Sequence, residues 1–163
     1  PLLPVSTRAN IVLTDGADEL IFYRHSDGYP EGTLPTLKQF LNLVDQGTIR
    51  DHVGQAAGWL ILIGAREYGV KLDRSEIDPP SLGAGMQWKV GAYEPTTGLH
   101  GDIEFLYVVD LEKRTIRHHK VAYASTWNPR IPFSFYSGRF NECRPDSNAP
   151  KLTMLAAKEG SAR

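Results

Sequence analysis

Apolar and polar positions along the chain change period twice, and each change marks a change of element. From Ala9 to Thr14, Ile11 and Leu13 share one side of an alternating run, and Asp15-Gly16 supplies the chemistry of a hairpin turn. The partner run, Glu19 to His25, places Leu20, Phe22 and Arg24 on one face and Ile21, Tyr23 and His25 on the other. A period of 3.6 then takes over. Leu37, Phe40, Leu41 and Val44 predict a first helix over Leu34 to Gln46, with Pro35 tolerated in its first turn and Gly47 placed to end it. Thr48 and Asp51 resemble a capping box for a second helix from Ile49 to Tyr68, closed by Gly69. Its stripe includes the small residues Ala57 and Gly64, and with Ala56 these permit close approach of a neighbour.

Residues 70 to 85, broken by Pro79-Pro80, Gly83 and Gly85, read as a surface connection. Alternation returns after it. Met86 to Ala92 predicts a third strand, Glu94 to Gly101 a loop, Ile103 to Val109 a fourth strand, and Thr115 to Tyr123 a fifth, the last two joined by a polar turn at Asp110 to Arg114. Beyond Ser125, five aromatics alternate with Pro129, Pro132, Arg130 and Arg139, which predicts an extended segment wrapped on the domain. Leu152 to Ala157 fits one short helix. The element order ββααβββ predicts an α+β fold of two layers: an antiparallel sheet of about five strands with two helices on one face, in a single domain over residues 7–157 with flexible ends.

Composition narrows the classes of function. A 41% hydrophobic and 23% charged chain is neither disordered nor membrane-embedded by composition, and its longest apolar run, Trp59 to Ile63, is too short to span a bilayer. Pro1 to Ser6 show no signal-peptide pattern and stay outside the fold argument. The single cysteine, Cys143, forbids an intrachain disulfide and points to a reducing compartment. Net charge is −1, divided as −7 over residues 1–110 and +6 over residues 111–163. That split suits a basic tail lying on its own acidic body better than a polyanion site. Arg117 and Lys120 fall on opposite faces of the fifth strand, and Glu112 and Glu142 interrupt the basic residues, so tight binding to generic nucleic acid is not expected.

The densest chemistry lies in Tyr23-Arg24-His25-Ser26-Asp27-Gly28-Tyr29-Pro30-Glu31-Gly32, between a predicted strand and a predicted helix. Tyr23, Tyr29 and Arg24 suit stacking on or clamping a planar anionic ligand such as a nucleotide, with Gly28 and Gly32 permitting close backbone approach. The competing assignment has Tyr29-Pro30 plugging the corner and Arg24 paired with Glu31. Two His-x-Asp sequences, His25-Ser26-Asp27 and His100-Gly101-Asp102, offer imidazole and carboxylate for a divalent metal or for an oriented general base, or simply form turns. His118 and His119 must face opposite sides of their strand, and His52 reads as a surface residue. Cys143 has no local signature of a nucleophile, and phosphate-loop and dinucleotide glycine patterns are missing.

Ser6-Thr7-Arg8-Ala9-Asn10-Ile11, the Tyr23 to Gly32 motif and the Gly101 to Tyr107 strand together resemble a set of small, uncharacterised proteins of bacteriophages, prophages and other mobile elements. The resemblance covers about the first third of the chain plus that later strand, and it carries no established activity. It implies an accessory protein working in the host cytoplasm. The expected function is binding of a host protein or of a small, nucleotide-like ligand through Tyr23, Arg24, His25, Asp27, Tyr29 and Glu31. The alternative is a metal-dependent hydrolase or nuclease in which His25, Asp27, His100 and Asp102 hold a divalent cation. No catalytic set is complete, so binding is preferred to catalysis.

Overall fold

The computed structural model describes residues 6–69, 91–121 and 141–148. The chain forms β1 (Ala9–Thr14), β2 (Glu19–Arg24), α1 (Pro30–Asp45), α2 (Val53–Glu67), β3 (Glu94–Thr96), β4 (Phe105–Asp110), β5 (Thr115–Lys120) and β6 (Asn141–Cys143). The fold is α+β. One six-stranded sheet has the order β3-β2-β1-β4-β5-β6.

The sheet is mixed, which corrects the antiparallel expectation. β1 pairs antiparallel with β2 but parallel with β4, Ile11 standing opposite Phe22 on one side and Tyr107 on the other. The cause is the chain's route. From the edge strand β3 it passes along residues 97–104 over the sheet, where the His100 amide donates to Asn10 Oδ1 at 2.7 Å, and enters β4 beside β1 with the Glu104 amide bonded to the Arg8 carbonyl. Two short strands raise the count above five. β3 replaces part of the loop expected from Glu94, and β6 adds an edge within the expected C-terminal wrap. Met86 to Val90, the aromatic positions from Trp127 to Phe140, and the 152–157 helix lie outside the described residues.

Alternation sends Ala9, Ile11, Leu13, Phe22, Tyr107, Val109 and Ile116 into the main core, where Leu37, Phe40 and Leu41 of α1 and Val53, Ala56 and Leu60 of α2 meet them. Burying a side chain such as Phe40 contributes roughly 1.5–3 kcal/mol over leaving it in water. Cys143 packs against this core as a free thiol. The opposite face holds a smaller cluster of Ile103, Leu106 and Val121, with Tyr23 and Leu99 against it.

Both helices start elsewhere than the pattern predicts. α1 begins four residues early because Pro30 occupies its first turn, where a missing N–H has no helical partner to lose. Pro35 therefore sits inside the helix. α2 begins at Val53, not Ile49, because Asp51 is drawn to Arg114 (3.1 Å) and the amide of Val53 is capped from a distance by Asp15 Oδ2 at 3.0 Å. The hairpin turn thus caps a helix 38 residues away. Gly47 and Gly69 follow the two helices with φ of 76° and 80°, as the sequence predicts.

Candidate functional site

β2 delivers alternate side chains to two different places. Arg24 turns to the helix side and is only 2% exposed. Its Nη1 lies 2.7 Å from Glu67 Oε2 at the end of α2, an ion contact without aligned hydrogen-bond geometry. Nε donates to the Ser26 carbonyl at 2.9 Å and Nη2 to the Gly32 carbonyl at 3.3 Å, and the guanidinium carbon stands 5.3 Å from the centre of the Tyr93 ring. Thr36 Oγ1 of α1 donates to the other Glu67 oxygen at 2.6 Å. Burial opposes the charge on Arg24, and its surroundings, Tyr93 and Glu67 foremost, more than offset that, so its pKa is raised. One side chain joins β2, the loop, both helices and the segment before β3. Arg24 pairs with Glu67, not with Glu31, and it is not free to clamp an anion.

The loop after β2 is anchored just as firmly. Asp27 adopts φ 56°, its carbonyl accepts from Thr33 Oγ1 at 2.8 Å, and its carboxylate accepts from the Tyr29 hydroxyl at 3.2 Å. The Gly28 amide donates to the Thr7 carbonyl, and the buried Tyr107 hydroxyl donates to the Gly28 carbonyl at 2.6 Å. A Cβ on Gly28 would stand 2.8 Å from the Thr7 oxygen and 2.9 Å from the Ala9 Cβ, so only glycine fits this approach. Glu31 lies exposed in the first turn of α1, where the helix dipole favours a carboxylate. Asp27 to Gly32 is therefore chiefly a device for turning a strand into a helix.

Tyr23 and His25 turn the other way. The Tyr23 hydroxyl and His25 Nδ1 are 2.9 Å apart, and the Tyr23 ring stacks on His100 with centroids 4.1 Å apart and planes 12° from parallel. His100 Nε2 lies 3.2 Å from Thr96 Oγ1. Burial raises the Tyr23 pKa, with the negative charges of Asp102 and Glu94 adding to it. The two His-x-Asp sequences thus bring their histidines to one tyrosine but not their carboxylates. Asp27 faces Tyr29, while Asp102 pairs with Arg8 at 2.9 Å. Among the described residues no group of three or more His, Cys, Asp or Glu is placed to hold a metal ion.

Beside Tyr23 and His25 opens a cleft of about 530 Å³, within the range of small-molecule sites. Its described walls include Ile61 and Ala65 of α2, Tyr68 just after it, His25, and Tyr93, Glu94 and Pro95 at the start of β3. Gly64 lets the 91–93 segment pack closely on α2 beside it. The Ala92 amide donates to the Gly64 carbonyl at 3.2 Å, and a Cβ there would come within 2.6 Å of Tyr93 Cδ2. The sequence marks Gly64 as a place of close approach but does not say what approaches. Tyr68, Tyr93 and Glu94 were missed as site residues because they come from segments distant in sequence. Their only signal is an aromatic on the helix stripe and a Tyr-Glu pair at the junction of a predicted strand and loop.

His118 stacks on Tyr107 with centroids 5.9 Å apart on the core side, while His119 stands opposite Leu106 on the other face. Arg117 and Lys120 are likewise divided. No helix among the described residues is long and apolar enough to cross a membrane. No protein-family model, curated protein or solved structure matches the chain.

Proposed function

We propose that this protein is a binding protein whose ligand sits in the cleft between Tyr23-His25 and the end of α2. The observation that carries the reading is the cleft itself, with three tyrosines and an exposed isoleucine around a volume suited to a small molecule. The reading moves the recognition surface from the whole 23–32 loop to its first residues, since the later ones are committed to the turn. A host-cell cytoplasmic accessory role in a phage or mobile element is the setting we propose, on the sequence resemblance. A metal-dependent hydrolase draws no support from the placement of Asp27 and Asp102.

The test is a fragment screen by amide chemical-shift mapping on the full chain, with nucleosides, amines and carboxylates as probes. Binders should shift Tyr23, Tyr68 and Glu94 together, and Ile61→Trp, a change at an exposed cleft wall, should abolish the response. Binders that shift other surfaces, or that ignore Ile61→Trp, would overturn the reading.

A further inference from the structure

We infer that the cleft selects an organic cation, an alkylammonium head group, rather than a nucleotide or another anion. The inference rests on the cleft reading above and concerns the chemistry of its ligand. The Glu94 carboxylate lines the cleft with no hydrogen bond or ion pair to another described residue, whereas Glu67 is taken by Arg24 and Asp102 by Arg8. No lysine or arginine is among the described residues of the wall. Arg24, the nearest buried cation, lies beneath Tyr93 with its charge already met by Glu67.

Among the described residues, the cleft is faced by tyrosine rings, the His25 imidazole and the single carboxylate of Glu94. Tyrosine rings present negative faces, which attract a cation stripped of part of its water, and a methylated ammonium loses little hydration on entering such a site. Glu94 supplies the countercharge, with no competing partner among the described residues. An anion would meet the reverse: a carboxylate on the rim, electron-rich rings, and no guanidinium among the described residues of the wall. Ile61 and Ala65 add apolar surface for methyl or methylene groups.

The decisive experiment titrates isotopically labelled full-length protein with choline, with its uncharged carbon isostere 3,3-dimethylbutan-1-ol, and with adenosine monophosphate. Choline should shift Tyr23, Tyr68 and Glu94, and the isostere should bind at least about tenfold more weakly, as loss of one charge interaction predicts. Glu94→Gln should weaken choline by a similar factor while leaving the rest of the amide spectrum in place, and added salt should weaken it further. A trimethyllysine peptide, run beside choline, shows by the tighter of the two whether the head group belongs to a free molecule or to a protein side chain. Should the isostere bind as well as choline, or the nucleotide bind better, with Ile61→Trp still blocking either, the cation inference falls and the cleft reading stands. Should no probe shift these residues at millimolar concentration, both fall.

Discussion

Two neighbours at the end of β2, Arg24 and His25, carry opposite assignments. Arg24 is sealed beneath the helices, hydrogen-bonded through Nε and Nη2 to the Ser26 and Gly32 carbonyls and in ion contact through Nη1 with Glu67, while His25 is exposed beside the Tyr23 hydroxyl. They share the same motif and similar chemistry. What separates them is the two-residue period of a strand, which sends consecutive side chains to opposite faces. A cluster of ionisable residues in sequence is thus two groups in space, one that assembles the fold and one left over for a ligand.

The sharpest way to break this comparison is to remove each in turn. Arg24→Ala should cost about 3 kcal/mol, near the lower end for a broken buried pair because the Glu67 side chain is 23% exposed and water softens its loss. For a chain of this size that corresponds to a fall in Tm of roughly 6–12 °C. His25→Ala should change stability by less than about 0.5 kcal/mol, as surface substitutions do. Urea denaturation of both variants measures the difference directly. Comparable losses would mean that the two faces are not divided in this way.

A second variant sharpens it at the other end of the cleft. Gly64→Ala drives a methyl group into Tyr93, whose ring is buried and backed by Arg24. Overpacking costs about 1–3 kcal/mol, and the better helix propensity of alanine returns about 1, leaving a net loss of about 0–2 kcal/mol. The amides of 91–95 should shift in the same spectrum, because the Ala92–Gly64 hydrogen bond must yield. Unchanged stability together with an unchanged 91–95 segment would show that this contact does not set the cleft.

Much of the architecture was legible because periodicity reports burial. The alternation of β1 and β2, the stripe of α1 and the opposed pairs Tyr23/Arg24 and His118/His119 follow from side-chain direction alone, and the structure places them so, while on α2 Ile61, at helical spacing with the buried Ala57 and Leu60, is exposed. The parallel β1–β4 pair was not legible, since it depends on where a loop crosses the sheet and loops carry no period. The same holds for α2, whose local capping pattern lost to Asp15, and for Arg24, whose partner Glu67 lies 43 residues away. Local signals name the groups available at a site. They do not name the distant segment that completes it.

The hairpin turn gives a smaller, pH-readable test of such distant contacts. Asp15 accepts from the amides of Asp18, Val53 and Ala17, and these bonds, Asp18's the strongest influence, hold its pKa at about 2 against an ordinary 3.8. A carboxyl depressed in the folded state stabilises fully above its unfolded pKa and loses that contribution as pH falls through the folded value. The urea midpoint should therefore decline between about pH 4 and pH 2 through this group, and Asp15→Asn should remove its share of the decline. A variant whose acid limb parallels the parent's would show that Asp15 does not couple the hairpin to α2.

The smallest expected effect lies on the core side of β5. His118 is half-buried against Tyr107, and desolvation first, then the charge of Lys38, lowers its pKa below the ordinary 6.5. A histidine kept neutral by folding gains its proton more readily in the unfolded chain, so the linkage runs opposite to that of a paired imidazole. Its contribution is intact above the unfolded pKa near 6.5 and is lost as pH falls from there through the lower folded value. His118→Phe keeps an aromatic ring against Tyr107 and has no proton to bind. It should flatten the decline in stability on the acid side of neutrality while leaving the stability above pH 7 nearly unchanged. Two-dimensional NMR titration of the parent should place the His118 midpoint below 6.5, and a midpoint above it would mean that the ring is not shielded by the core face.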